Sequence, residues 1–247
     1  MRELLLAGRR RVHEVLVTER DTPGARPDDD ELAELARDLR VPVRVVGRGR
    51  LASLARSEAP QGVVALAEPL RPVELGDLAE PGPGGAAPFL IALDGVTDPR
   101  NVGSIARTAE AVGAHGLIVP EHRSAAVTPA VEKAAAGALA HLPVARVTNL
   151  VRTLEALERA GVWSLGLDGT SPTPLTGHPL ADGPVVLVVG AEGRGLTRLV
   201  RERCDALVAL PMRGRVGSLN ASVAAGVALY ALLAARDAAA VGDDRPE

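Results

Sequence analysis

Three segments of the sequence, 93–107, 188–196 and 210–222, combine glycine with polar side chains able to act on a bound ligand. Glycine lets a backbone approach a ligand closely, amides and hydroxyls position polar atoms, and a guanidinium binds an anion or stabilises developing negative charge. The candidate side chains in these segments are Asn101, Arg107, Glu192, Ser218 and Asn220.

Taken one at a time, the same residues have a structural interpretation. Asn101 stands where it could cap a helix, and Glu192 where it could favour a helix N-terminus. One residue among Ser218, Asn220 and Ser222 could cap the helix that follows. The glycine spacing in 190–195 fits neither the dinucleotide nor the P-loop fingerprint.

The elements that must position these segments alternate between apolar strands and helices. Such alternation is typical of a mainly parallel sheet covered on both faces, whose ligands lie beyond the carboxyl ends of the strands. The predicted strands are 89–93, 116–119, 144–147, 162–167, 184–189 and 206–210, and the predicted helices are 101–112, 129–138, 150–160, 196–203 and 222–235.

A Pro/Gly-rich stretch divides the chain. Residues 69–88 cannot continue a helix or a central strand, so they are predicted to be a linker between domains 1–68 and 89–247. The first domain also alternates, with predicted helices at 3–6, 29–40 and 51–55 and strands at 12–17, 41–46 and 62–67, as expected for a small α/β domain.

Composition excludes several classes of protein. The 247 residues are 47% hydrophobic and 24% charged, with a net charge of −3, which are values of a globular protein. Aromatic residues make up 1%, which disfavours modules that stack bases on several aromatics. Cys204 is the single cysteine, so no intramolecular disulfide or multi-cysteine zinc site is possible and no metal is expected.

The expected location is the cytoplasm. The apolar stretch at the amino terminus is too short for a signal peptide, and no apolar run reaches the roughly 18 residues of a membrane span. Positive charge is nearly all arginine, with Lys133 as the single lysine. A basic patch is formed by residues 9–11 together with Arg44, Arg48 and Arg50. This patch either binds RNA or is a solvated surface.

Together the three segments resemble the motifs of the SpoU (TrmH-like) family of RNA ribose 2′-O-methyltransferases, in the family's order. The segments 133–144, 146–150 and 61–63 also look like the family, so the likeness covers nearly the whole chain. The branch it resembles most has two domains and methylates a guanosine ribose of 23S rRNA. The resemblance implies an amino-terminal RNA-binding domain like ribosomal protein L30e and a trefoil-knotted SPOUT methyltransferase domain.

The resemblance also implies S-adenosylmethionine as cofactor and a homodimer formed through the knotted domain, with residues of both chains in one site. Most cofactor contacts come from main chain, and the matching positions are Gly190, Leu210 and Leu219, with Leu167, Gly169 and Met212 as neighbours. The arginines expected to bind RNA are Arg9, Arg10, Arg11, Arg48 and Arg100.

Asn101, Arg107, Glu192, Ser218 and Asn220 match the family's catalytic positions. A guanidinium almost never loses its proton, so Arg107 is expected to orient the RNA phosphate and stabilise the alkoxide. Ser218 or solvent would then relay the proton. Glu192 is expected to fix Arg107 or a neighbouring donor, while the two asparagines hold the loops.

The sequence departs from the family in three places. Pro60 replaces a common histidine, Ala135 replaces a common serine, and an initial Gly-Arg segment is lacking. The alternatives are a methyltransferase acting on tRNA or on another rRNA position, and a non-catalytic RNA-binding or ribosome-assembly protein. A nucleotide-binding α/β oxidoreductase would need a glycine fingerprint that the chain does not have.

Overall fold

The computed structural model describes residues 1–18, 27–55, 62–122 and 127–243. The chain divides into two compact units, Met1–Arg71 and Pro72–Glu247. Gln61, which belongs to the family resemblance, and Pro60, which departs from it, lie outside the described residues.

The first unit is a small α/β domain. Strand β1 pairs in parallel with β2 and antiparallel with β3, so β1 is the central strand. Its core includes Leu5, Val15 and Ala36, all buried. The likeness of this unit to ribosomal protein L30e stays a prediction. Its elements are α1 (Arg2–Ala7), β1 (Val12–Thr18), α2 (Pro27–Asp38), β2 (Val43–Val46), α3 (Arg48–Ala55) and β3 (Val63–Ala67).

The segment predicted as a linker is structured over much of its length. Val73 forms a bridge with Ala145, and the short helix α4 (Leu75–Ala79) follows. Leu78 of α4 is buried in the core of the second unit. The linker prediction for 69–88 is therefore wrong over this part, because leucines spaced through a Pro/Gly-rich stretch can still pack on a neighbouring sheet.

The second unit is built on a six-stranded sheet in the order β6-β5-β4-β8-β7-β9, and every neighbouring pair is parallel. This confirms the predicted α/β class with a mainly parallel sheet. The remaining elements of the unit are β4 (Phe89–Asp94), α5 (Pro99–Ala111), β5 (Gly116–Pro120), α6 (Pro129–Ala134), β6 (Val144–Val147), α7 (Leu150–Arg159), β7 (Trp163–Leu167), β8 (Val185–Gly190), α8 (Arg198–Arg203), β9 (Ala206–Val208) and α9 (Ala221–Asp243).

Sheet order decides which loops become neighbours. Strands β4 and β8 pair along their whole length, with Asp94 opposite Gly190. Strand β7 pairs with β8 on one side and with β9 on the other. The chain then leaves the edge strand β9, and α9 returns to pack on α5 and β8. The loops after β4, β7, β8 and β9 therefore share one edge of the sheet, while the trefoil knot stays a prediction.

Helices α5 and α6 approach closely at Gly103. A Cβ at this position would lie 2.4 Å from the Cβ of Ala134 and 2.8 Å from the carbonyl oxygen of Val131. Helix α6 ends at Ala134, and a 3₁₀ turn at Ala138–Ala140 follows, so the predicted helix 129–138 is interrupted. The interruption lies at Ala136 and Gly137, both with positive φ.

Replacing Gly103 with alanine should destabilise the second unit by about 1–3 kcal/mol, the usual cost of overpacking. Gly226→Ala in α9 is the matched control, because its Cβ would lie 3.8 Å from the nearest atom, on Thr108. The control should be neutral or up to about 1 kcal/mol more stable, since alanine favours a helix. Urea unfolding of the two variants measures both effects, and equal stability of the two would contradict the packing argument.

Helix α9 is longer than the predicted 222–235. It continues to Asp243, and Arg236 donates hydrogen bonds to the carbonyl oxygens of Gly183 and Ala87. Within the described residues, 221–241 is long and apolar enough to cross a membrane by length and composition. The predicted helix 222–235 is shorter than a membrane span, whereas α9 has 23 residues. A core helix passes the same test, so this is weak evidence for a membrane span.

His115 gives the stability of the second unit a pH dependence. Its Nδ1 accepts a hydrogen bond of 3.0 Å from the backbone N–H of Phe89. Burial and then the positive charge of Arg236 lower the pKa of His115 below its usual value. The unfolded chain therefore binds a proton more readily than the folded chain. The resulting stability is present above a pH of about 6.5 and is lost as the pH falls through the lowered pKa.

We expect His115→Asn to flatten this dependence, because asparagine keeps an acceptor and does not titrate. Urea midpoints between about pH 5 and 8 should fall on acidification for the wild type and less for the variant. His122→Asn, at an exposed position of the same unit, is the control and should follow the wild type. Parallel curves for His115→Asn and the wild type would contradict the assignment.

Candidate active site

A cavity of about 320 Å³ opens at the carboxyl ends of β7, β8 and β9. Its volume lies within the range of small-molecule sites, and its position is where parallel sheets bind ligands. All six predicted cofactor-binding residues line it: Leu167, Gly169, Gly190, Leu210, Met212 and Leu219. The geometry brings these six together, and their contacts with a cofactor stay a prediction.

The glycines after β8 form a narrow turn. Ala191 and Gly195 exchange two backbone hydrogen bonds of 3.1 and 2.8 Å, which close the turn around Glu192, Gly193 and Arg194. A Cβ on Gly190 would lie 2.2 Å from the carbonyl carbon of Gly195. No side chain fits at residue 190, so the glycine there is required by backbone contact.

Three of the predicted catalytic residues form a hydrogen-bonded cluster. The Asn220 Nδ2 donates to Glu192 Oε2 and to Asn101 Oδ1, each at 3.1 Å. The Asn101 Nδ2 also donates to Glu192 Oε2, at 3.4 Å. Asn101 is buried, while Glu192 and Asn220 are exposed. The cluster joins the loops that follow β4, β8 and β9.

The helix caps differ from the simplest sequence interpretation. Asp98, not Asn101, caps α5, because its side chain accepts from the Arg100 N–H. Asn101 lies one turn further into the helix, where its side chain is free to turn toward Glu192. Asn220 does cap α9, with its Oδ1 accepting 2.9 Å from the Ser222 N–H. Its amide nitrogen still reaches the cluster, so capping and clustering are compatible.

Ser218 and Arg107 lie apart from this cluster. Ser218 is exposed and lines the cavity. Arg107 is exposed on α5, outside the residues that line the cavity. In the described part of the chain Arg107 makes no ion pair, and the donors to Glu192 are the two asparagines. Glu192 is therefore next to neighbouring donors, as one form of the prediction has it, and among the described residues it makes no contact with Arg107.

Asp94 is a positioning residue that sequence reasoning missed. It ends β4, is buried, and its Oδ2 accepts a hydrogen bond of 2.6 Å from the Thr197 N–H. The turn after β8 is thus held at its start by strand pairing and at its exit by this carboxylate. A polar residue directly after a fully buried strand was the available indication.

A second carboxylate faces the cavity at Asp168. Its Oδ1 accepts 2.8 Å from the Thr170 N–H, and its Oδ2 lies 2.7 Å from Arg201 Nε. Burial disfavours the ionised form, but the Thr170 hydrogen bonds and the Arg201 charge outweigh it. The pKa of the Asp168 carboxyl therefore lies below its usual value, and the cavity wall carries a negative charge at neutral pH.

The cavity fits S-adenosylmethionine by the chemistry of its walls. Leucines and Val189 supply an apolar surface for a purine ring, while strand ends and glycines expose backbone N–H and C=O groups. The carboxylates of Asp168 and Glu192 suit a ligand with a sulfonium and an ammonium group. In the described part of the chain, no group of three or more His, Cys, Asp or Glu side chains is arranged to hold a metal ion.

The arginines predicted to bind RNA occupy different environments. Arg9, Arg11, Arg48 and Arg100 are exposed. Arg10 is half-buried, and its Nε donates a 2.8 Å hydrogen bond to the Glu68 carbonyl, so it also holds the end of β3. Four of the five guanidinium groups therefore face solvent, and their contact with RNA stays a prediction.

Comparison with known proteins gives matches over both units. Residues 88–230 match the SpoU rRNA methylase family, and residues 2–73 match the RNA 2′-O ribose methyltransferase substrate-binding domain. The chain is 46% identical over 208 residues to the 23S rRNA (guanosine-2′-O-)-methyltransferase RlmB of Pseudomonas aeruginosa, covering 83% of this chain and 82% of that protein. It is 44% identical over 203 residues to the putative TrmH family tRNA/rRNA methyltransferase YacO of Bacillus subtilis, covering 81% and 80%.

Among solved structures, the SpoU methyltransferase AviRb of Streptomyces viridochromogenes in complex with the cofactor AdoMet superposes with a TM-score of 0.78 at 31% identity. The match covers 96% of this chain and 87% of that one. Together, the fold, the cavity and the substrate-binding unit define an S-adenosylmethionine-dependent RNA 2′-O-ribose methyltransferase. The chain belongs to the SpoU rRNA methylase family.

Proposed function

We propose that this protein methylates a guanosine ribose 2′-OH of 23S rRNA. The observation that carries the proposal is the identity of 46% to a 23S rRNA guanosine methyltransferase, which extends over most of both chains. Residues 2–73 match the substrate-binding domain of RNA 2′-O ribose methyltransferases, so the similarity also includes the amino-terminal unit. With a 23S rRNA substrate, the protein would act in the cytoplasm, where ribosomal subunits assemble.

The chemistry is a transfer from sulfur to oxygen. When bound, S-adenosylmethionine supplies an electrophilic methyl group, and the ribose hydroxyl gives up its proton as the new bond forms. The residues of the chain have to align the hydroxyl, stabilise negative charge on its oxygen and take away the proton. No metal ligand is needed for these tasks.

Four of the five residues have roles that their positions support, and the role of Arg107 rests on the chemistry of its guanidinium. Asn101, Glu192 and Asn220 hold the loops after β4, β8 and β9 in register around the cavity. Ser218, exposed at the cavity, relays the proton or passes it to solvent. Arg107 orients the phosphate next to the target ribose and stabilises the alkoxide, because its guanidinium stays protonated.

The protein acts as a homodimer formed by the second unit. Val223, Val227 and Tyr230 form an apolar stripe on α9 that is 51%, 50% and 56% exposed, an unusual surface for a monomer. Arg107 is exposed on α5, the helix that packs against α9. A second copy seated on this face would cover the stripe and bring Arg107 of one chain to the cavity of the other.

The test of the proposed function is methyl transfer to unmodified 23S rRNA, with the modified nucleotide mapped by primer extension. Incorporation at one guanosine is expected, and labelling of tRNA alone would overturn the choice of substrate. Arg107→Lys should lose most of the activity, since lysine does not offer a planar pair of donors. Sedimentation of Tyr230→Glu should show dissociation to monomers, and a wild type that sediments as a monomer would overturn the dimer.

A further inference from the structure

Three arginines border the cavity on two of its loops. Arg194 lies in the turn after β8 and lines the cavity. Arg213 and Arg215 lie on the loop between β9 and α9, where Met212 and Gly217 on either side of them line the cavity. All three arginines are exposed.

These arginines differ from their neighbours in having no acidic partner. Arg198 forms an ion pair of 2.9 Å with Glu202, and Arg201 one of 2.7 Å with Asp168. Within the described ranges, Arg194, Arg213 and Arg215 form no ion pair and no side-chain hydrogen bond.

The acidic residue closest in sequence to Arg194 does not neutralise it. The Glu192 carboxylate accepts hydrogen bonds from two asparagine amides, while residues 210–219 contain no acidic residue. The chain as a whole has a net charge of −3, so positive charge at this opening is a local feature. Such a local positive field attracts a polyanion although the net charge is negative.

We propose that Arg194, Arg213 and Arg215 bind the backbone phosphates of the RNA strand on either side of the target nucleotide. This inference rests on the proposed function and gives a phosphate-binding role to three arginines of the motif loops that are not among the predicted catalytic or RNA-binding residues. A guanidinium presents paired donors that match a phosphate, and an exposed arginine without a partner has no ion pair to break. Phosphate contacts carry no sequence information, so these residues hold the strand over the cavity while other contacts choose the nucleotide.

Counterion release gives a measurable consequence. Each phosphate contact with a single strand contributes about 0.7 to the slope of log affinity against log salt. The triple variant Arg194→Gln/Arg213→Gln/Arg215→Gln should lower the magnitude of that slope by about 2 and weaken RNA binding on the order of 10- to 100-fold at 0.15 M salt. The KM for RNA should rise in parallel, while S-adenosylmethionine binds with unchanged affinity.

The control is Arg146→Gln/Arg152→Gln/Arg159→Gln, which removes the same charge from exposed positions on β6 and α7, away from the cavity. Three measurements compare the wild type and the two triple variants. They are filter binding to a 23S rRNA fragment between roughly 0.05 and 0.5 M salt, where the slope is linear, calorimetry with the cofactor, and thermal unfolding. Equal salt slopes for both triple variants would overturn the inference. Weakened cofactor binding with an unchanged RNA slope would also overturn it.

The two hypotheses fail in different ways. In one outcome, the wild type methylates RNA while the variant lacking Arg194, Arg213 and Arg215 has the same KM for RNA as the control variant. That result contradicts the phosphate contacts and leaves the proposed function unchanged. A wild type that neither binds nor methylates any RNA contradicts the proposed function itself.

Discussion

Replacing Gly190 with alanine is expected to weaken binding of S-adenosylmethionine by roughly 10- to 100-fold. The new Cβ would lie 2.2 Å from the Gly195 carbonyl carbon and 2.4 Å from the Leu196 nitrogen, and backbone at that position cannot move aside as a side chain can. The turn must open, which breaks the two hydrogen bonds between Ala191 and Gly195. Two net hydrogen bonds are worth about 1–3 kcal/mol, and 1.4 kcal/mol is a factor of ten in affinity.

Calorimetry with the cofactor measures the effect. Gly214→Ala is the matched control, since it lies on a loop bordering the same cavity and its Cβ would meet no atom within 4 Å. Thermal unfolding of both variants separates a displaced turn from a failure to fold. A Gly190→Ala protein that binds the cofactor within twofold of the wild type would show that the turn does not shape the cavity.

Replacing Glu192 with glutamine is expected to lower kcat roughly 30-fold. Glutamine keeps the size of the side chain and one acceptor oxygen but removes the charge. Hydrogen bonds to an ionised acceptor are worth about 1 kcal/mol more than neutral ones, and Glu192 Oε2 accepts two of them, from Asn101 and Asn220. The loops after β4 and β9 would then be held less firmly around the reacting atoms.

Single-turnover methyl transfer measures this effect, with Glu202→Gln as the control because that carboxylate pairs with Arg198 at an exposed position. A double-mutant cycle with Asn220→Ala tests the cluster itself. Residues in one hydrogen-bond network show non-additive effects, so the double variant should lose less than the sum of the single losses. Additive losses, or a Glu192→Gln protein with wild-type kcat, would contradict the role assigned to the cluster.

Most elements of the second unit could be predicted within about two residues, because continuous apolar strands and helices of regular period leave a local pattern. Strand 144–147 is placed as predicted. The predicted elements are wrong where the local sequence pattern and the tertiary packing favour different structures. Leu78 packs on a sheet although the residues around it are rich in proline and glycine, and α9 continues through Arg236 because backbone carbonyls accept its guanidinium.

In the candidate active site, too, the residue types could be predicted from the sequence, while several contacts between residues could not. The side-chain types at the loops could be read from the sequence, and the family motifs selected five of them. Asp94 was missed because its partner is the backbone N–H of Thr197, 103 positions away, and a backbone amide leaves no mark in a sequence. The sequence predicts that Glu192 fixes Arg107 or a neighbouring donor. The structure shows the amides of Asn101 and Asn220 as donors, while Arg107 lies exposed on α5.

The sequence by itself determined the class of fold, the chemistry of the loops and the glycine at residue 190. Only the tertiary structure decided that Asn101, Glu192 and Asn220 share one hydrogen-bonded cluster, although Asn220 lies 119 positions from Asn101 along the chain. The physical reason is the order of strands. Strand β8 pairs with β4 and β7 with β9, so loops far apart in sequence meet at one edge of the sheet, and no local periodicity encodes that order.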